Sequence, residues 1–263
     1  MTLDVQIRTK TYSSRTPGND HTAIAGIDFS VPEGQFTCIV GPSGCGKTTL
    51  LNIVSGLEQD VDGAVTLNDK PINEAHIGYM FQTSRLMPWL TVLENVQLVE
   101  EGGGNKEKGN DVLAHRLLKE MNLGDVIDAF PNRLSGGMMR RVALARAFVV
   151  KPRLLLMDEP FISLDEPVAM RLQELLLTIW NERPTTVLFI THNLNEALFL
   201  ADRILFMSPG PGRIVHDYMV PLARPRAKLT SDEIYGLRQS LLKDHPDLLT
   251  GLIGDAEAEQ KES

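Results

Sequence analysis

FTCIVGPSGCGKTTLLNIVSG, residues 36–56, runs from an apolar, β-prone pentapeptide through a glycine-rich turn into a segment with helical spacing. Its central octapeptide, GPSGCGKT from Gly41 to Thr48, fits G-x-x-x-x-G-K-[ST] and stands after a strand and before a helix, the context that gives this pattern meaning. Gly41, Gly44 and Gly46 let the backbone curl until successive N–H groups point inward, and the following helix adds the positive end of its dipole. A polyphosphate is therefore expected on the loop formed by Gly41, Pro42, Ser43, Gly44, Cys45, Gly46, Lys47, Thr48 and Thr49. Lys47 would reach the β- and γ-phosphates, and the Thr48 hydroxyl would ligate Mg²⁺. The stretch implies a nucleotide but not what the nucleotide is used for.

Composition narrows the classes. A chain of 263 residues suffices for one large α/β domain, or for a domain with an appendage. Its 43% hydrophobic and 23% charged residues suit a soluble globular protein. No apolar run approaches the roughly 18 residues that span a bilayer, and the start MTLDVQIRTK lacks the apolar core of a signal peptide. A cytoplasmic location is expected. The net charge of −8 leaves no excess of Lys and Arg to displace phosphate counterions, which excludes nonspecific nucleic-acid binding. Two cysteines, Cys38 and Cys45, suit a reducing compartment. Cys45 lies near a helix N-terminus, where a thiolate is favoured; it is either a reactive thiol beside the nucleotide or a small residue that fits.

Along the chain, Leu3, Val5 and Ile7 alternate with polar neighbours as a half-buried strand, with Tyr12 just past its end. Residues 13–22, with Pro17-Gly18, read as a loop, and Ala25 to Val31 as a second strand. Gly56 is a helix stop, AVTLNDKPIN (64–73) a hairpin turning at Asn68-Asp69, and Ile77 to Gln82 a strand. From residue 83 the spacing becomes helical. Thr91 with Glu94 forms a capping box, and Asp111 caps a helix whose Leu113, Leu117, Leu118 and Met121 share a face. The intervening EEGGGNKEKGN is a solvated loop. A helix from about Gly136 to Val150, a buried strand Leu154 to Asp158, and a helix carrying Met170, Leu175, Leu176 and Ile179 follow. TVLFIT (186–191), NEALFLA and RILFM then read as strand, short helix and strand. This alternation predicts an α/β fold with a mainly parallel sheet and a helical insertion at about 83–150. Beyond the PGPGR turn, PLARPRAK reads as an extended basic linker. Thr230 and Glu233 box a helix bearing Ile234, Leu237, Leu241 and Leu242, expected to pack on the body, and DAEAEQKES is too polar to order itself.

Two further motifs carry chemistry. LLLMDE, Leu154 to Glu159, puts two carboxylates at the end of a buried strand: Asp158 would hold Mg²⁺ through water, and Glu159 would orient or deprotonate an attacking water. In LSGGMMRRVALARAF, Leu134 to Phe148, Ser135 can cap a helix whose first turn offers the N–H groups of Gly136 and Gly137, a second anion site.

With these motifs the chain resembles the ATP-binding subunits of ABC transporters, whose signature begins LSGG, over about residues 1–225. The resemblance implies a P-loop NTPase (RecA-like) core with an N-terminal antiparallel β subdomain and an inserted α-helical subdomain. It also implies ATP and Mg²⁺ as ligands, and a head-to-tail dimer in which each signature closes over ATP held by the other subunit. Tyr12 matches the aromatic that stacks on adenine. Gln82 matches the glutamine that touches Mg²⁺ and water, Ser163, Leu164 and Asp165 the loop that crosses the dimer interface, and His192 the switch histidine at the γ-phosphate. Met139-Arg140, ITHN and FISLD depart from the commoner patterns, but no catalytic group is missing, so an active ATPase is expected.

SRLMPWLTVLENV, Ser84 to Val96, and ARPR, Ala223 to Arg226, resemble the importers of nitrate, sulfonates and taurine. Leu86-Met87-Pro88-Trp89 is either part of a groove for a permease helix or ordinary core. The resulting expectation is an ABC domain at 1–229 and a helical extension with a disordered tail at 230–263. Its partners would be a second ATP-binding subunit, integral membrane permease subunits and, indirectly, a solute-binding protein, at the cytoplasmic face of the inner membrane. The alternatives are a soluble ABC ATPase without a permease, or an importer of another solute class; a single phosphate loop without heptads speaks against the first.

Overall fold

A computed structural model describes residues 2–14, 20–72, 77–101, 110–224, 226 and 230–251. The chain forms two compact units, one from Met1–Ala75 with Thr186–Ser263, the other from His76–Thr185.

In the first unit β1 (Thr2–Tyr12) lies between β2 (His21–Pro32) and β4 (Asp62–Leu67), antiparallel to both. Leu3, Val5 and Ile7 are buried, as the alternation predicts. Both strands of the first pair outrun their apolar patterns: β1 includes Tyr12, opposite His21 on β2. The extension is held by main-chain pairing and a contact of 3.0 Å between the Thr11 and Thr22 hydroxyls, interactions that leave no hydrophobic trace. β4 turns into β5 (Lys70–Pro71) through Asn68 and Asp69, whose φ values of 56° and 60° belong to a two-residue hairpin turn.

The same unit holds β3 (Phe36–Val40), flanked in parallel by β8 (Thr186–Thr191) and β9 (Arg203–Met207), with β10 (Ile214–Met219) antiparallel to β9. Every residue of β3 and β8 is buried, which explains their unbroken apolar runs. Between the strands run α1 (Lys47–Val54) and α6 (Leu194–Leu200); α7 (Ser231–Asp244), opened by the Thr230–Glu233 capping box, packs on α6. In the basic linker, Arg224 and Arg226 are anchored to the body of the unit. Arg226, 2% exposed, donates to the carbonyls of Leu198, Phe199, Ala201 and Leu222, and Arg224 donates to the Asp202 carboxylate and to the Leu200 carbonyl at 2.7 Å each. These bonds satisfy the open end of α6. Burial, and then the neighbouring Arg224, lowers the pKa of Arg226 to about 10.

In the second unit β6 (Ile77–Met80) pairs in parallel with β7 (Leu154–Asp158). The strand therefore ends before Gln82. Helices α2 (Val92–Glu101), α3 (Asn110–Glu120) and α4 (Gly136–Val149) pack on one another, with Val92, Val96, Leu117, Leu118 and Val142 buried. The Thr91–Glu94 box is reciprocal, at 2.7 and 3.3 Å. α3 begins at Asn110, so Asp111 lies in its first turn and is not its cap. On α5 (Glu166–Glu182) the core face is Leu172, Leu176, Leu177, Ile179 and Trp180, while Met170 is 45% exposed and off that face. Pro17-Gly18, most of EEGGGNKEKGN and the polar tail lie outside the described residues.

Candidate nucleotide site

The phosphate loop joins β3 to α1. Gly46 caps α1 at φ 98°, and a Cβ there would stand 2.7 Å from the Ala23 carbonyl oxygen, so no other residue fits. The helix has no acidic residue in its first turn, which leaves its N-terminal N–H groups for an anion. Lys47, 6% exposed, folds back on the loop: Nζ donates to the carbonyls of Gly41 at 2.8 Å and Pro42 at 2.9 Å, and lies 3.8 Å from Cys45 Sγ. The loop's own carbonyls thus hold the ammonium in place. Ser43 and Thr48 are exposed and Thr49 half-buried.

Of the two readings of Cys45, its burial favours the small residue that fits. The thiol is 1% exposed, and burial raises its pKa; the opposing pull of Lys47 is smaller.

Two other residues of this unit belong to the expected set. Tyr12 is 39% exposed at the end of β1, with Lys10 Nζ 4.6 Å from its ring centroid, an open aromatic face at a strand end. His192 follows β8 and is exposed. The next residue, Asn193, caps α6 by accepting from Asn195 N–H at 3.0 Å and Glu196 N–H at 3.4 Å. Asn in place of the commoner Asp keeps that cap, because both side chains offer an oxygen to the same donors.

The second unit carries the carboxylates. Asp158 is 3% exposed at the end of β7, and the next residue, Glu159, has φ 42°, a left-handed conformation that costs a non-glycine residue about 1–2 kcal/mol. Gln82 Nε2 donates to Glu159 Oε2 at 3.4 Å, so the structure joins these two predicted residues directly. Burial and Asp158 together raise the Tyr79 pKa strongly. Ser163, at φ 62°, leads through Leu164 and Asp165 into α5. At the signature, Ser135 caps α4, its hydroxyl accepting from Met138 N–H at 3.2 Å. A Cβ on Gly136 would meet nothing within 4 Å, so the first turn of α4 faces open space there.

Sequence reading missed the residues that hold these segments. Asn95 is 0% exposed; its amide donates to the carbonyls of Met87, Leu90 and Thr91 at 3.1, 3.0 and 2.9 Å and accepts from Met87 N–H at 2.7 Å. Its signal was a polar residue among Val92 and Val96 on the apolar side of α2. Arg146 donates to the carbonyls of Ser84 at 2.6 Å and Arg85 at 2.8 Å, and Arg140, one of the departures, to that of Phe81 at 3.4 Å. Trp89 is 69% exposed, which removes it from the core.

Residues 24–162 match the family described as ABC transporter. The aliphatic sulfonates import ATP-binding protein SsuB 2 of Burkholderia cenocepacia is 42% identical over 226 residues, covering 85% of this chain and 80% of that protein. The bicarbonate transport ATP-binding protein CmpD of Synechocystis is 43% identical over 216 residues, 80% of this chain and 77% of that one. Among solved structures, the dimeric post-hydrolysis state of the ATP-binding cassette MJ0796 bound to ADP and Pi is similar at TM-score 0.73 and 30% identity, covering 84% of this chain and 100% of that one. The α/β architecture agrees with that solved structure, and the chain belongs to the ATP-binding proteins of the ABC transporter family.

Proposed function

We propose that this ABC ATPase energises the import of a small solute of the sulfonate, nitrate, taurine or bicarbonate kind through a membrane permease. The loop from Gly41 to Thr49 holds the ATP phosphates, with Lys47 exchanging the carbonyls of Gly41 and Pro42 for phosphate oxygens; Tyr12 stacks on the adenine. Glu159 takes the proton of the attacking water, Gln82 steadies that carboxylate, and His192 contacts the γ-phosphate. Thr48, Gln82 and Asp158 offer a hydroxyl, an amide oxygen and a carboxylate, the all-oxygen donor class that Mg²⁺ prefers, and the ion would neutralise charge on the phosphates. Closure requires a second copy, which lends Ser135, Gly136 and Gly137. The exposed Trp89 on a segment fixed by Asn95 supports permease docking, with the chain peripheral at the cytoplasmic face. No described helix is long and apolar enough to cross a membrane, in keeping with that place.

The observation that carries the catalytic reading is the left-handed Glu159, beside buried Asp158 and hydrogen-bonded by Gln82. Glu159→Gln should bind ATP as tightly as the parent chain and lower turnover at least about 10²-fold, because only the base is lost. Hydrolysis at the parent rate would take that role away from Glu159. The solute class is tested by reconstituting the chain with its permease and asking which solute stimulates ATPase activity.

A further inference from the structure

The turn from Ser208 to Arg213 lies against the phosphate loop. Gly212 N–H donates to the Ala23 carbonyl at 2.9 Å, and its own carbonyl accepts from Ala25 N–H at 3.1 Å, so the residue is stitched to β2. A Cβ on Gly212 would fall 2.2 Å from the Cys45 carbonyl oxygen. At the start of the loop, a Cβ on Gly41 would stand 3.0 Å from both Cβ and O of Met207. The end of β9 and the β9–β10 connection therefore lie directly against the loop, at Gly41 and at Cys45.

The same connection carries the C-terminal extension. Gly251 is buried at φ 71°, and a Cβ there would lie 2.6 Å from Met207 O and 2.9 Å from both Ser208 Cα and Pro209 Cδ. The extension is moored by Ile234, Leu241 and Leu248, at 8%, 4% and 1% exposure, and by the His245 ring 4.3 Å from that of His216 on β10. Two glycines thus let backbone meet backbone in series, Gly251 on Met207–Pro209 and Gly212 on Cys45. Packed backbone has little room to yield, so a displacement at one contact is passed to the other.

We infer that the segment from Ser231 to Gly251 is a brace that positions the phosphate loop through the Met207–Arg213 turn, so that release of the extension weakens ATP binding. The inference rests on the phosphate loop being the nucleotide site. By linkage, ATP must in turn tighten the brace.

Gly251→Val should raise the Kd for ATP at least about threefold while kcat at saturating ATP stays within about twofold. Gly236→Ala, in α7 where a Cβ meets nothing within 4 Å, should leave Kd unchanged. In a Gly212→Ala background the effect of Gly251→Val should largely disappear, because both act through one turn. In the unaltered protein, ATP should slow amide hydrogen exchange at residues 248–251, and a chain ending at Asp244 carries the affinity test if Gly251→Val does not fold. A lower melting temperature with parent Kd, full additivity of the two glycine substitutions, or exchange at 248–251 indifferent to ATP would each overturn the brace. Lys47→Ala separates the underlying assignment: parent-like ATP binding in that variant would remove the nucleotide from the loop, whatever the extension does.

Discussion

Glu159 combines two requirements that pull apart. Its carboxylate is the base we propose, yet its φ of 42° favours glycine. Glu159→Gly should therefore be more stable than Glu159→Gln by about 1 kcal/mol, since both lose the base but only one keeps the strained backbone. Urea denaturation of the pair checks this; equal stability would mean that neighbouring contacts relieve the strain. Cys45 gives a second prediction at this scale. Burial raises its pKa above the usual thiol value, so at neutral pH its thiolate fraction lies below that of a free cysteine and grows only as pH rises past the ordinary range. Alkylation should be slower than for an unfolded control at pH 7, accelerate with pH, and slow further when ATP is present. A rate at pH 7 equal to the control's would contradict the burial. The position of Cys45 near a helix was legible from sequence. The outcome of its electrostatics was not, because desolvation comes from Gly41 and the loop around it.

At the level of elements, patterns that close within a few residues were read correctly, the Asp111 cap excepted. Both capping boxes form, and Asn68-Asp69 turns its hairpin, since each depends on local main-chain geometry. What escaped notice is polar and long-range. Arg226 looked like part of an extended basic linker but is buried against the end of α6, and Asn95 looked like any helical polar residue but ties down residues 87–91. Asn95→Leu strands several polar groups and should destabilise the helical unit by about 2–3 kcal/mol. Trp89→Ala removes a 69% exposed ring and should shift stability by no more than about 0.5 kcal/mol, yet it should abolish co-purification with the permease while leaving soluble ATPase activity intact. Undiminished co-purification would mean that the exposed indole serves no docking surface. The contrast between the two variants separates a residue that builds the surface from one that meets the partner.

Across the whole molecule, the chemistry-bearing residues are divided between the units. Tyr12, the phosphate loop and His192 belong to one, and Gln82, Ser135 to Gly137, Asp158 and Glu159 to the other. The family and its α/β architecture were legible because each motif is a short string, whereas the head-to-tail assembly is an expectation that rests on the resemblance alone. The structure adds a way to test that assembly without disturbing the fold. A Cβ on Gly136 meets nothing within 4 Å, and the first turn of α4 contains no acidic residue. Gly136→Asp therefore places a carboxylate at a helix N-terminus, where the dipole stabilises it by about 0.3–1 kcal/mol. The isolated chain should melt no lower than the parent, with its own ATP affinity unchanged. Toward ATP held by a second copy, the same carboxylate presents negative charge to phosphate and occupies the N–H groups that would bind it. Combined with Glu159→Gln, the substitution should keep the protein monomeric in sedimentation at saturating ATP, whereas Glu159→Gln alone should dimerise. If the double variant dimerises as readily, the signature of one copy does not close over the nucleotide of the other.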